Sequence, residues 1–92
     1  MDKIRRHFIF YGSVQGVGFR YRARAAADSF GVSGWVRKLS DGTVEMEAEG
    51  YEESIDRMIL TIEQSRYIVI ENLRVKDIKP TGESFFRIRD QG

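Results

Sequence analysis

The chain has 92 residues, of which 41% are apolar and 12% aromatic, and its 15 basic and 14 acidic side chains leave a net charge of +1. This composition predicts one small domain, residues 1–92, with one modest core, and the balanced charge argues against non-specific binding to nucleic acid or to anionic membranes. The lack of cysteine excludes a disulfide scaffold, thiol catalysis and Cys-ligated metals, and a single histidine cannot build a histidine metal cluster.

The first predicted element is a strand from Ile4 to Tyr11. Phe8 and Phe10 point to one side of it, and the other side also becomes apolar near the end. This pattern is typical of a central strand that leads directly into the following loop. We expect His7 on the exposed face, where a solvated side chain is a better interpretation than a catalytic one.

Residues 12–20 read Gly-Ser-Val-Gln-Gly-Val-Gly-Phe-Arg and join this strand to a predicted helix. The glycines permit positive φ and close approach of a ligand to the backbone. Successive amides and the helix N-terminus can then form an anion-binding concavity, to which Arg20 would add the planar donors of its guanidinium. The stretch predicts a site for a small oxyanion, such as a phosphoryl group.

A plain turn with solvated arginines is the alternative interpretation of the same stretch. Against it, Arg20, Arg22 and Arg24 crowd the start of a helix, where the dipole disfavours cations, and such a broken local rule is expected at functional sites. The known phosphate loops do not match: Walker A ends in Gly-Lys-Ser/Thr, and the dinucleotide fingerprint requires a glycine where Tyr21 stands.

A helix is predicted from Phe19 to Phe30. Its apolar residues recur at three- and four-residue spacing and form one stripe, which includes Ala23, Ala26 and Ala27. Small alanines allow the helix to lie close to a sheet, and Gly31 is a natural stop.

A hairpin follows, with strands at Val32 to Leu39 and Thr43 to Gly50 joined by the turn Asp41-Gly42. The second strand alternates a buried face with an acidic face that we expect to be solvated; these faces carry Val44, Met46 and Ala48, and Glu45, Glu47 and Glu49. Three aligned glutamates leave metal binding open as an alternative, but carboxylates at a spacing of two on an exposed face are usually only solvated.

The last third of the chain predicts a second helix and two further strands. Tyr51 to Ser65 is strongly amphipathic, with Ile55, Met58, Ile59 and Ile62 on one face. Tyr67 to Ile78 is strand-rich, with one phase containing Val69, Glu71, Leu73 and Val75 and the other Ile68, Ile70, Asn72 and Arg74. Residues 79–82 interrupt it, and Ser84 to Arg89 predicts a short final strand.

The predicted order is therefore β-α-β-β-α-β with a short final strand. Two helices on one face of an antiparallel sheet form the ferredoxin-like α+β sandwich. Fold alone implies no function. From the residues alone, a nucleophile is not evident, so any chemistry at the oxyanion site would be direct attack of water on a phosphoryl group, aided by positioning and charge stabilisation.

Three segments together resemble a known family. The stretch at residues 12–20, followed by Gly34-Trp35-Val36 and by residues 41–45, Asp-Gly-Thr-Val-Glu, resembles the acylphosphatases from about Arg6 to Arg89. The resemblance implies the same ferredoxin-like fold and the hydrolysis of acyl phosphates to a carboxylate and inorganic phosphate, without metal or cofactor.

Roles for individual residues also follow from the resemblance. The backbone amides from Gln15 to Arg20, namely those of Gln15, Gly16, Val17, Gly18, Phe19 and Arg20, would hold the phosphate oxygens. Arg20 matches the family's essential arginine and would bind the phosphoryl group in the ground and transition states. The carboxylate leaving group is a weak base, so a strong general acid is not required.

One position departs from the family pattern. The family has an asparagine that orients the attacking water after Gly-Trp-Val-(Arg/Lys), and this chain has Lys38 there. A protonated lysine only donates hydrogen bonds, whereas an amide also accepts them. Two functions therefore remain open: an acylphosphatase, slowed at Lys38, or a module that binds a small phosphate or carbamoyl phosphate without efficient turnover.

The expected ligands are a small acyl phosphate and, in competition with it, inorganic phosphate or sulfate. We expect a cytoplasmic monomer with neither nucleic-acid nor membrane partners, since the sequence shows no signal peptide or transmembrane run. RNA binding on a ferredoxin-like sheet is disfavoured, because the base-stacking aromatic motif is missing. The physiological acyl group, the oligomeric state and any regulatory partner stay undetermined by the sequence.

Overall fold

The computed structural model describes residues 2–89. The chain forms five strands and two helices in the predicted order: β1 Ile4–Ser13, α1 Phe19–Phe30, β2 Ser33–Lys38, β3 Val44–Gly50, α2 Glu52–Glu63, β4 Val69–Ile78 and β5 Phe86–Ile88. The predicted ferredoxin-like α+β architecture is thereby confirmed.

One sheet contains all five strands in the order β4-β1-β3-β2-β5. The four longer strands pair antiparallel, as the sequence predicts. The short β5 differs, because it lies parallel to β2 with Gly34 opposite Phe86. This arrangement follows from the chain path: the segment after β4 crosses to the far edge of the sheet and enters it in the direction of β2.

Both helices cover one face of the sheet and bury its apolar side chains. Phe8 and Phe10 of β1 stack at 5.6 Å between ring centroids, and Phe10 meets Phe19 of α1 at 4.8 Å. Ile55 and Met58 of α2 are fully buried in the same core. Each such side chain contributes roughly 1.5–3 kcal/mol of hydrophobic stabilisation.

The two ends of α1 explain why this helix starts and stops where it does. Gly18 precedes it with φ 77° and Gly31 follows it with φ 68°, and both values lie in the left-handed region that favours glycine. The Gly31 amide donates to the Ala27 carbonyl and so satisfies one of the last helical acceptors. The helix N-terminus is therefore held at the end of the loop that follows β1.

A β-bulge at the end of β1 changes the predicted alternation of β4. Tyr11 pairs with Asn72 and Gly12 with Ile70, so Glu71 is the extra residue on β4. In consequence Ile70 and Leu73, which the sequence pattern places on opposite phases, both contact the core.

The acidic face of β3 is not solvated, and that prediction is wrong. Glu49 is 4% exposed, and Glu45 and Glu47 are 15% and 22% exposed. The reason is pairing across the sheet: the Arg5 guanidinium on β1 contacts Glu47 at 2.7 Å and Glu49 at 3.0 Å, and Glu45 contacts the His7 ring on β1 and accepts from the Arg37 guanidinium on β2.

Arg5 also connects the sheet to the segment between β4 and β5. Its guanidinium donates to Glu83 at 2.6 Å and to the Thr81 hydroxyl at 3.0 Å, and the amides of Thr81 and Gly82 donate to Glu49. Burial alone would raise the pKa of Glu49, but the hydrogen bonds from Thr81, Arg5 and Gly82 outweigh it and lower that pKa.

Neither helix in the described part of the chain has the length and apolar character needed to cross a membrane.

Candidate functional site

A pocket of about 260 Å³ lies where the loop after β1, the first turn of α1 and the end of β2 meet. Its lining consists of Val14, Gln15, Gly16, Gly18, Phe19, Arg20, Tyr21, Lys38 and Val44. The fold thus brings Lys38 to the predicted oxyanion loop across eighteen residues of sequence. Of the predicted site residues only Val17 is not part of this lining; it packs partly buried against the core.

The loop backbone presents its amides without internal partners. Gly16 and Gly18 have φ 72° and 77°, and a Cβ added to either would meet no atom within 4 Å. Among residues 2–89, no acceptor is recorded for the backbone amides of residues 15–21, and the first helical donor is Arg22, whose amide reaches the Gly18 carbonyl at 3.0 Å. The open space beside the glycines therefore adjoins a run of backbone N–H groups that no acceptor within residues 2–89 occupies.

Gly12 and Gly34, the other glycines of the motifs at residues 12–20 and 34–36, allow neighbouring strands to approach closely. A Cβ on Gly12 would collide with the Val69 carbonyl, and a Cβ on Gly34 would collide with the Glu47 carbonyl. Both residues also have positive φ, at 126° and 134°. Gly12 and Gly34 are thus required for close strand approach, while Gly16 leaves room for a ligand.

Arg20 lies half-buried in the first turn of α1 and lines the pocket. Its guanidinium carbon lies 5.9 Å from the centroid of the Tyr21 ring, and the guanidinium of Arg24 lies 5.7 Å from the same ring. No carboxylate in residues 2–89 forms a salt bridge with Arg20. The guanidinium is therefore not neutralised by a described acidic side chain.

The charge of the pocket suits an anion. Its charged lining residues, within the part of the chain that the structure describes, are Arg20 and Lys38, and both are cationic. Lys38 is the last residue of β2, exposed and opposite Val44 of β3. Cations beside unpaired backbone amides are the arrangement that binds phosphate or sulfate oxygens.

The hairpin turn that carries Lys38 is internally braced. The Asp41 carboxylate accepts from the Thr43 hydroxyl at 2.6 Å and from the Thr43 amide at 3.0 Å. These two hydrogen bonds lower the pKa of Asp41. The Leu39 amide donates to the Thr43 carbonyl at 2.9 Å, so the turn beyond Lys38 is closed.

Three lining residues were not predicted from the sequence: Val14, Tyr21 and Val44. Val14 and Val44 are buried at the ends of neighbouring segments and form the apolar floor, which their hydrophobic character alone would not assign to a site. Tyr21 is 60% exposed beside Arg20, and its position directly after a predicted anion-binding arginine is the sequence signal that could have found it.

The Gln15 side chain points to the hairpin. Its amide nitrogen donates to the Leu39 carbonyl at 2.7 Å and to the Thr43 carbonyl at 2.8 Å. The prediction for Gln15 concerned its backbone amide, so this side-chain contact is an additional feature of the site.

No group of three or more His, Asp or Glu side chains is arranged to hold a metal ion within residues 2–89. The glutamates of β3, considered above as an alternative metal site, instead accept hydrogen bonds from cationic side chains. His7 lies in this row rather than in the pocket, with its Nε2 at 2.7 Å from Glu45. Burial raises the pKa of Glu45, and the hydrogen bonds from His7 and Arg37 reverse that effect, so the pKa is lowered.

Comparison with known proteins identifies relatives whose sequences are similar to this chain over nearly its full length. The family model for acylphosphatase matches residues 6–88. A curated acylphosphatase of Methanospirillum hungatei is 42% identical over 87 residues, which are 92% of this chain and 96% of the relative.

Solved structures give the same result in three dimensions. The crystal structure of acylphosphatase from Bacillus subtilis superposes with a TM-score of 0.86 at 32% identity, covering 94% of this chain and 98% of that one. An acylphosphatase from Coxiella burnetii superposes with a TM-score of 0.87 at 31% identity, covering 96% and 94%.

Proposed function

The chain belongs to the acylphosphatase family, and on that premise we propose that it hydrolyses acyl phosphates by direct attack of water on phosphorus. The water oxygen forms the new P–O bond while the bond from phosphorus to the carboxylate oxygen breaks. The products are a carboxylate and inorganic phosphate, and the protons of the water leave with the phosphate or with solvent. Family membership supports this reaction class.

The observation that carries the proposal is the row of unpaired amides at residues 15–21 beside Arg20, in a pocket whose charged lining is cationic. These amides would hold the non-bridging phosphoryl oxygens, and Arg20 would stabilise the charge that they carry in the transition state. Phosphoryl transfer is accelerated mainly by such positioning and electrostatic stabilisation. The carboxylate departs without a strong general acid, because it is a weak base.

Lys38 would occupy the water side of the pocket in this reaction. A protonated ammonium adds attraction for the phosphoryl group, but it offers no acceptor for a proton of the attacking water. We therefore propose that turnover is slower than it would be with an asparagine at this position. We further propose that the reaction needs no metal and that the enzyme acts as a monomer.

The second candidate is a module that binds a small phosphate or carbamoyl phosphate without efficient turnover. The observation that favours it is the same Lys38, which adds a cation where the family has its water-orienting asparagine. The two candidates share the phosphate half of the pocket and differ only in catalysis.

Acetyl phosphate hydrolysis, measured beside a phosphate titration followed by ¹H–¹⁵N NMR, separates the candidates. An acylphosphatase turns over and shifts the loop amides, whereas a binding module only shifts them. Arg20→Ala should lose both activities, because a charge-assisted hydrogen bond to an anion contributes roughly 1.5–3 kcal/mol, or about ten- to a hundredfold in affinity.

Arg24→Ala is the matched control. Arg24 lies on the same helix and over the same Tyr21 ring, but it does not line the pocket. We expect it to keep both hydrolysis and phosphate binding. Equal phosphate affinity for Arg20→Ala and wild type would overturn the assignment of the pocket.

A further inference from the structure

The Gln15 side chain forms a link between two separate parts of the pocket. Both protons of its amide nitrogen are used: one bond reaches the Leu39 carbonyl at 2.7 Å and the other the Thr43 carbonyl at 2.8 Å. These two carbonyls also accept hairpin hydrogen bonds, from the Gly42 amide at 3.3 Å and from the Leu39 amide at 2.9 Å. The side chain thus completes the hydrogen bonding at the turn end of the hairpin.

The Gln15 side chain connects the loop that carries the backbone amides to the hairpin that carries Lys38. Gln15 directly precedes Gly16, the first glycine of the loop, and Leu39 directly follows Lys38. The amides of residues 15–21 have no recorded acceptor in residues 2–89 that would fix the loop from within. Two side-chain hydrogen bonds join this loop to the hairpin, and Gln15 donates both of them.

We propose that Gln15 is a positioning residue, which sets the distance between the oxyanion-binding amides and the side chain at position 38. This inference rests on the proposed function. Its chemical basis is that a primary amide supplies two N–H donors in one plane, which fits two carbonyl acceptors. A carboxylate of the same shape has only acceptors, and it would face both carbonyl oxygens with like polarity.

Two variants test the role: Gln15→Glu, which keeps the shape and loses both donors, and Gln15→Leu, which removes the polar group. Leu39 and Thr43 keep their hairpin hydrogen bonds in either variant, so we expect the fold to persist. Displacement of a reacting group by about 1 Å can cost on the order of a hundredfold in rate. We therefore expect kcat for acetyl phosphate to fall by at least about tenfold, and KM to change less than kcat.

The split between kcat and KM separates positioning from a merely structural role. If Gln15 only stabilised the fold, the folded fraction would decrease, while kcat per folded molecule and KM would stay at the wild-type values. Gln64→Leu is the matched control, because Gln64 is an exposed glutamine at the end of α2, away from the pocket. It should leave both constants unchanged.

Sulfate binding gives a readout that does not depend on hydrolysis. At neutral pH both Gln15 variants should bind sulfate several-fold more weakly than wild type, as judged by ¹H–¹⁵N NMR of the Gly16 and Gly18 amides. On acidification below a carboxyl pKa of about 4.3, Gln15→Glu regains one O–H donor. Its affinity relative to wild type should then recover in part, whereas Gln15→Leu should show no recovery.

Failure of the positioning role can be distinguished from failure of the proposed function. If wild type neither hydrolyses acetyl phosphate nor binds sulfate, the proposed function fails. If wild type does either and both Gln15 variants match it in kcat, KM and sulfate affinity, the positioning role is refuted. Should Gln15→Glu unfold in acid, the kcat and KM values of Gln15→Leu at neutral pH decide.

Discussion

Replacement of Gly16 or Gly18 by alanine tests the proposed oxyanion loop most directly, because Gly31 provides a control with a similar positive φ. The three glycines have φ of 72°, 77° and 68°, and a Cβ added to any of them would meet no atom within 4 Å. The steric cost inside the protein is therefore the same in all three variants. What differs is the location: Gly16 and Gly18 line the pocket, while Gly31 ends α1 on the way to β2.

The stability effect follows from the backbone conformation. A non-glycine residue in the left-handed region costs roughly 1–2 kcal/mol. For a domain of this size, each kcal/mol corresponds to about 4–8 °C in Tm. We expect all three alanine variants to melt at lower temperature than wild type by a similar amount, as measured by circular dichroism.

The binding effect should separate the loop from the control. A methyl group at Gly16 or Gly18 projects into the open space beside the available amides and keeps a phosphate from reaching them. Loss of one charge-assisted hydrogen bond, roughly 1.5–3 kcal/mol, weakens phosphate binding by at least about tenfold. Gly31→Ala should bind phosphate as wild type does, in ¹H–¹⁵N NMR titrations at a temperature where every variant is folded.

Asparagine variants distinguish conformation from ligand access. Asparagine tolerates the left-handed region better than alanine, so Gly31→Asn should recover part of the lost stability. Gly16→Asn and Gly18→Asn should recover stability in the same way but not phosphate affinity. If the loop variants bind phosphate as tightly as Gly31→Ala, these amides do not form the oxyanion site.

Three further predictions concern the water side of the pocket, acid stability and solution conditions. Lys38→Asn should raise kcat for acetyl phosphate by at least about tenfold, since one water-orienting hydrogen bond lowers the barrier by about 3 kcal/mol. The same variant should weaken phosphate binding modestly. Equal kcat for wild type, Lys38→Asn and Lys38→Ala would show that position 38 has no catalytic part. The lowered pKa of Glu49 means that its contribution to stability is complete above an unfolded-state pKa of about 4.3 and is lost as the pH falls through its lower native pKa. The free energy of unfolding, measured in urea between pH 7 and 3, should therefore fall as the pH is lowered, and the fall should be smaller in Glu49→Gln. At pH 7 this variant should already have lost about 3 kcal/mol of stability, because it breaks a buried pair with Arg5. An acid profile identical to that of wild type would contradict this role. Hydrolysis should persist in chelator and be inhibited competitively by sulfate and phosphate, and complete loss of activity in chelator would point to a metal that the proposal does not include.

Much of the fold was predictable because it is encoded in local patterns. Apolar spacing of three and four residues predicts α1 and α2, and Asp41-Gly42 predicts the hairpin turn at the place where the structure has it. The oxyanion loop is equally local, since its glycines, its amides and Arg20 lie within nine consecutive residues. A short segment of sequence therefore contains the conformational freedom, the donors and the charge that the proposed phosphate half of the site requires.

The sheet register is what the local pattern could not supply. The bulge opposite Glu71 places Ile70 and Leu73 together on the core, although strict alternation separates them. The parallel pairing of β5 depends on where the chain re-enters the sheet. The requirement for glycine at positions 12 and 34 also depends on the register, because a side chain on Gly12 or Gly34 would collide with a carbonyl of the neighbouring strand.

The ion pairs of the sheet and the Gln15 hydrogen bonds across the pocket depend on the tertiary structure alone. Alternation correctly places the glutamates of β3 on the opposite face from Val44, Met46 and Ala48, but only the register of β1 brings Arg5 to Glu49, 44 residues away. Likewise Gln15 reaches carbonyls that lie 24 and 28 residues further along the chain. The sequence by itself determines which side chains can donate or carry charge; which partner each of them meets depends on contacts between segments that are distant in sequence, because a hydrogen bond or an ion pair is set by distance in space.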